Sequence, residues 1–212
     1  MKRRTLDLLF SIGGLGLAVL LLVVGIVLTT NANFANTYVH DQLSAQHISF
    51  KPADTLTDEE KKSDCLREYA GQRLTTGKQA ECYANEFIGL HLKSIGGGKT
   101  YADLGEPQTA LKAQVTQAEQ TKAANLADLQ KQLADVTAQR ETVFKGETLR
   151  GLLLTSYGFS EFGRKAGQGA LAMYLGAALL LLLSLAGLLH AFRTPVNEAF
   201  AAPERTRERV KS

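Results

Sequence analysis

The sequence predicts an all-α membrane protein: two transmembrane helices flanking an extracytoplasmic antiparallel bundle of about four helices, the last long and coiled-coil-like. Three observations carry this prediction. Residues 8–28 (LLFSIGGLGLAVLLLVVGIVL) and 170–192 (ALAMYLGAALLLLLSLAGLLHAF) contain no Lys, Arg, Asp or Glu, and an uncharged apolar run of that length marks a bilayer span. The chain between them places apolar residues at helical spacing, punctuated by helix-capping patterns. No stretch alternates for long enough to make a strand. A formal charge of +3, from 24 basic and 21 acidic residues among 212, and a mean hydropathy near zero average over two very different regimes. The apolar blocks exclude the ordinary soluble domain that those averages suggest.

The boundaries follow from composition: a tail at 1–7, a transmembrane helix at 8–29, an extracytoplasmic domain at 30–169, a second transmembrane helix at 170–192 and a basic tail at 193–212. About 21 residues of helix give roughly 32 Å, matching a hydrocarbon core of about 30 Å. Lys2, Arg3 and Arg4 followed by an apolar run also fit a signal peptide, with Thr30-Asn31-Ala32 as a loose cleavage site. The run exceeds the usual 7 to 15 residue apolar region of such peptides, about 7 to 15 residues, which favours an uncleaved anchor.

Basic residues beside the spans set the orientation. The first tail has three against Asp7, and the last has Arg193, Arg205, Arg207, Arg209 and Lys211 against three Glu. Both tails are therefore expected in the cytoplasm, since the middle segment is long enough to translocate regardless of charge. Arg164 and Lys165 dissent locally and read as anchors snorkelling to headgroups. Within the spans, Gly14 and Ala18 match Ser184 and Gly187 in depth when the helices run antiparallel, and Gly25 matches Gly176. Small residues at matched depth permit close helix packing, although Gly and Ala are also simply common in membrane helices. Neither span holds an acidic residue, which argues against an ion pathway.

In the middle segment, residues 31–46 lack a helix breaker, so the first span is expected to continue outward until Phe50-Lys51-Pro52. Thr57 and Glu60 form a capping-box pattern opening a helix expected to reach about Leu74. Thr76 and Gln79 repeat it before an amphipathic helix carrying Ala80, Tyr83, Ala84, Phe87, Ile88, His91, Leu92 and Ile95. Gly96, Gly97 and Gly98 end that helix, because glycine accepts the left-handed conformation of a C-cap. After Pro107, a stripe at Leu111, Val115, Ala118, Lys122, Leu126, Leu129, Leu133, Val136, Arg140 and Val143 reads as a coiled-coil-like seam with one stutter. It faces either the other helices or another chain. Leu149 to Phe162 is more apolar and reads as an interfacial helix leading into the second span.

Cys65 and Cys82 lie on the two short helices, and an extracytoplasmic setting favours a single disulfide between them. Without a Cys-x-x-Cys spacing, a structural staple is the expected role, a redox site or intermolecular bridge the alternative. Gly96 to Thr100 ends like a phosphate-binding loop, but the required earlier glycine is Lys93 and a helix rather than a strand precedes it. His40, His47 and Asp41, with His91, sketch a metal site. Histidines seven apart on a helix are about 10 Å apart, too far to share one zinc ion unaided. The sequence thus offers no catalytic constellation, no cofactor or metal site, no nucleotide site and no basis for nucleic-acid binding beyond net charge.

In size and connectivity the chain resembles the extracytoplasmic helical sensor modules of chemoreceptors and sensor kinases. A last tail of 20 residues has no room for an output domain, so a sensor on this plan must signal through a partner. Three stretches, Asn36–Phe50 (NTYVHDQLSAQHISF), Phe87–Tyr101 (FIGLHLKSIGGGKTY) and Glu147–Leu154 (ETLRGLLL), resemble uncharacterised two-pass membrane proteins of actinobacteria. This resemblance covers most of residues 30–155. It implies the same topology and a cell-envelope setting, with no activity to carry over. The expected function is a non-enzymatic accessory or scaffold, its partners the lipid bilayer and a membrane or envelope protein or a second copy of the chain. A ligand sensor and an unrecognised envelope enzyme are the alternatives.

Overall fold

Breaker-free sequence from the first apolar block to Ala45 sustains one unbroken helix, α1 (Arg3–Ala45), in a computed structural model that describes residues 3–195. The remaining α-helices are α2 (Asp64–Glu68), α3 (Gly77–Cys82), α4 (Gly89–Ile95), α5 (Gly105–Thr121) and α6 (Leu126–Arg193). Among the described residues no strand forms, only an isolated antiparallel bridge between Ser49 and Arg73. Both α1 and α6 contain a stretch long and apolar enough to cross a membrane. Residues 196–212 of the basic tail that bears on orientation, together with Lys2, lie outside the described residues.

The chain divides into two units, Met1–Asn33 with Lys165–Ser212, and Phe34–Arg164. In the first, the apolar stretches of α1 and α6 pack antiparallel, residue numbers rising on one as they fall on the other. Asp7 Oδ2 lies 3.0 Å from His190 Nδ1, and the Thr29 and Tyr174 hydroxyls are 2.9 Å apart. Small residues mediate the approach. A Cβ at Gly14 would strike Ser184 Oγ, one at Gly187 would strike Ser11 Oγ, and one at Gly25 would sit 2.6 Å from the Tyr174 ring. Gly176 faces Leu21 at 3.2 Å, and Ala18 is buried. Outward, Leu20, Val23, Leu179 and Leu182 are exposed. A Gly25→Leu substitution is expected to push the helices apart and cost about 1–3 kcal/mol of overpacking. Thermal unfolding of the detergent-solubilised chain checks this, and an unchanged midpoint would contradict it.

In the second unit the sequence is less literal. The helix expected from Thr57 to Leu74 is replaced by a 3-10 turn (Glu60–Lys62), the five-residue α2 and an extended return. Ser63 adopts an extended conformation and caps α2 through its hydroxyl, which accepts from the Leu66 amide, and Gly71 turns the chain at φ 73°. The return pairs with the chain after α1: the Phe50 amide donates to Gln72 O and the Leu74 amide to Ile48 O, each at 2.9 Å. This pairing satisfies backbone groups while burying Phe50 and Leu74.

The amphipathic helix after Thr76 is interrupted by a π-helical stretch, Tyr83–Ile88, between α3 and α4. Gly96 caps α4 in a right-handed conformation, φ −73°, so the left-handed role expected of the glycines falls to Gly97 and Gly98. The seam after Pro107 does not run as one helix. Lys122 turns left-handed, φ 49°, at the C-cap of α5, so the stutter at 118–126 is the corner of an antiparallel hairpin. The stripe then faces across the hairpin, where Arg140 Nη1 donates to Gln108 Oε1 at 2.6 Å and Gln108 Nε2 to Thr137 Oγ1 at 2.9 Å. Instead of about four helices with a long, coiled-coil-like last one, the unit joins this hairpin to the outer part of α1 and a cluster of short helices. Leu149 to Phe162 belongs to the uninterrupted α6.

Candidate functional site

The second unit concentrates its chemistry in three places: a buried carboxylate, a disulfide and a groove. At the first, Glu60 Oε2 accepts from the Thr57 amide at 2.8 Å, while the Glu60 amide donates to Thr57 Oγ1 at 3.2 Å. The pair closes the reciprocal cap over one 3-10 turn. The side chain is only 1% exposed, and its other oxygen accepts from Lys51 Nζ at 2.8 Å. Burial alone raises the Glu60 pKa, but the Lys51 ammonium and the Thr57 amide and hydroxyl outweigh it and hold the carboxyl below its ordinary value. His91 Nε2 lies 3.7 Å from the same oxygen, and its Nδ1 is 2.7 Å from Phe87 O. Lys51 also sits over the Phe87 ring at 5.2 Å. One carboxylate neutralised by one ammonium makes a clasp between Lys51 and the turn before α2.

Cys65 on α2 and Cys82 at the end of α3 are joined as a disulfide. It lies beside the buried cluster of Val39, Leu43, Phe50, Leu66, Leu74, Ala80, Ala84, Ile88, Leu92 and Leu153, to which Cys82 belongs. Thr76 caps α3 with the reciprocal box: the Gln79 amide donates to Thr76 Oγ1 at 3.3 Å, and Gln79 Oε1 accepts from the Thr76 amide at 3.1 Å. That cap brings Gly77 against α6, where an added Cβ would strike the Ser160 hydroxyl and lie 2.5 Å from Ser160 Cβ and 3.3 Å from Tyr157 Cα. No side chain larger than hydrogen fits there.

The groove runs between the outer part of α1 and α6, with a volume of about 400 Å³. Tyr38, Val39, Leu43, Ile48, Leu149, Leu152, Leu153 and Phe159 supply its apolar wall, and Gln42, Gln46, Thr155 and Ser156 its polar edge. Thr155 and Ser156 donate their hydroxyls to Gly151 O and Leu152 O of their own helix. Phe34, Tyr38 and Phe159 cluster beside it, with ring centroids about 6 Å apart. Where α1 ends, His47 is held left-handed at φ 53° and its Nδ1 lies 2.9 Å from Arg73 Nη2.

The histidines do not converge. His47 meets Arg73, His91 approaches Glu60, and His40 lines a separate cavity with Thr75, Gly77 and Ser160. Among the described residues, no three side chains of His, Cys, Asp or Glu gather closely enough to hold a metal ion. In the Gly96–Thr100 loop, Asp103 Oδ2 accepts from the Thr100 hydroxyl at 2.8 Å and its amide at 2.9 Å, engaging the groups that a phosphate would need. Those hydrogen bonds hold the Asp103 carboxyl below its usual range.

Sequence reasoning missed the Lys51–Glu60 pair, the Arg73–His47 contact and the groove. The legible signal was the apolar run from Leu149 to Phe159 facing an α1 extension that carries Phe34 and Tyr38. Comparison of the chain with protein families, curated proteins and solved structures finds no match.

Proposed function

We propose that the chain is a non-enzymatic two-pass plasma-membrane protein whose segment 30–169 lies outside the cytoplasm and serves as an accessory or scaffold for an envelope protein. In this reading residues 1–7 and 193–212 face the cytoplasm. The observation that carries it is the pairing of two apolar helical stretches whose outward leucines are bare. A helix apolar all round and unburied in its own fold has hydrocarbon as its natural solvent. A disulfide in the intervening segment suits an oxidising compartment, and basic residues beside the spans suit cytoplasmic tails. Two-pass envelope proteins of actinobacteria, which segments of the sequence resemble, fit the same plan.

Support for a scaffold over an enzyme comes from the state of the polar groups. Glu60, the one buried carboxylate among the described residues, is spent on a cap and an ion pair. The α5–α6 hairpin leaves polar residues such as Lys112, Gln114, Lys122 and Lys131 exposed, a surface open to another protein. Extraction in mild detergent followed by mass and composition of the purified species tests the proposal. A stoichiometric second protein is expected, and a bare monomer that keeps its fold would overturn the accessory role. The groove favours a second reading, an extracytoplasmic ligand sensor acting through a separate partner.

A further inference from the structure

We propose that the α1–α6 groove binds the acyl chain of a fatty acid, with the Arg73–His47 pair receiving its carboxylate. The inference rests on the reading that α1 and α6 span a bilayer only in that the protein is assayed in one. Three features select the occupant.

The first is the wall. None of the twelve residues lining the groove is charged, and the hydroxyls of Thr155 and Ser156 are committed to their own helix. Apart from the Gln42 and Gln46 amides at its edge, such a wall offers an entering peptide backbone few partners for its amides and carbonyls, whereas a hydrocarbon chain requires none. The second is the shape. From Tyr38 to Gln46 the groove follows α1 for about 12 Å, and its volume of about 400 Å³ falls in the range of small-molecule sites. A slot bounded by two long helices admits a single extended chain more readily than a compact ring system. Leu152, 63% exposed, stands bare on its wall, so an occupant removes apolar surface of the protein from water as well as its own.

The third feature is the charge at one end. The lining residues Gln46 and Ile48 flank His47, and the Leu74 amide bonded to Ile48 O places Arg73 beside the same turn. Arg73 meets an imidazole there rather than a carboxylate. A guanidinium with donors to spare is suited to bidentate carboxylate recognition. His47, a non-glycine residue held left-handed, fixes the turn that sets the pair beside the lining residues Gln46 and Ile48, although neither Arg73 nor His47 itself lines the groove. An apolar slot with a cation beside its end, one that pairs with no carboxylate among the described residues, is complementary to a single-chain anionic amphiphile.

The test uses the full chain in phosphatidylcholine nanodiscs with a diazirine-bearing palmitate as the probe. Irradiation is expected to place adducts on peptides covering 38–48 and 149–159, and unlabelled palmitate should compete them away. Thr155→Trp, which fills the slot from an exposed position, should cut these adducts roughly tenfold, the loss expected when about two methylenes of the occupant are expelled. Leu152→Gln, also at an exposed position, should act in the same direction, and an intact disulfide by mass spectrometry shows that each variant is folded. Arg73→Gln should weaken palmitate competition about threefold while leaving competition by hexadecanol unchanged. Groove adducts that are absent, or indifferent to Thr155→Trp and Leu152→Gln, overturn the proposal. So does a protein adduct captured by a photo-crosslinker at Thr155 in the native membrane. A diazirine-bearing phosphatidylcholine in the same discs separates the two readings. Labelled spans at 8–28 and 170–192 with a blank groove sink the acyl site alone, and unlabelled spans sink the membrane reading.

Discussion

Replacing Cys65 and Cys82 with alanine is expected to lower the thermal midpoint of the second unit by about 10 °C, the shift that roughly 3 kcal/mol produces in a domain of this size. The helices that the bridge joins are too short to persist alone: α2 has five residues and α3 six. Without the link, a loop closed over a sequence separation of 17 residues regains its freedom in the unfolded chain. The groups exposed as α2 lifts away include Leu66, which is 2% exposed when folded. Effects should concentrate in α2, the 3-10 turn and the paired return from Gln72 to Leu74. Hydrogen exchange followed by mass spectrometry reads this directly: amides of 60–74 should lose protection well before those of α6. Uniform loss across the unit, or no change in the midpoint, would contradict the staple role.

The second large effect is expected at Glu60. Glu60→Ala removes a carboxylate that satisfies the Thr57 amide and neutralises Lys51, and should cost about 2–3 kcal/mol. Glu60→Gln retains the shape and isolates the charge. Because the folded-state pKa is lowered, the ionised carboxylate contributes its full stability above the ordinary carboxylate range, and that contribution disappears as the pH falls through the lowered folded value. Wild type should therefore exceed Glu60→Gln in midpoint at pH 7, with the difference closing as the pH falls below the ordinary carboxylate range and through the lowered folded value. A difference that stays constant between pH 7 and pH 3 would show that the carboxylate charge contributes nothing.

The features legible in the sequence were those set by local rules. Uncharged apolar runs fix helices whatever surrounds them, and Thr76 with Gln79 forms its box from residues three apart. The antiparallel match of Gly14 with Ser184 could be read because both helices are regular, so depth follows from counting. Local rules failed where tertiary satisfaction decided the conformation. Nothing near Thr57 says that Lys51, across a turn, will take the free oxygen of Glu60, or that Phe50 needs the Gln72 carbonyl and so ends the helix expected to Leu74. A stutter at 118–126 and a hairpin corner share one apolar spacing; only the left-handed Lys122 separates them. Each wall of the groove was legible as an apolar helix face, but their pairing was not, because they lie more than a hundred residues apart in the sequence.

Labelling of intact cells with a membrane-impermeant amine reagent tests the central claim, a two-pass protein with its middle segment outside. Lys99, Lys112, Lys122 and Lys131 are expected to react, while Lys2 and Lys211 react only after the membrane is opened. Labelling of Lys2 or Lys211 on intact cells, or protection of the four middle lysines, would contradict the topology on which the proposed function depends.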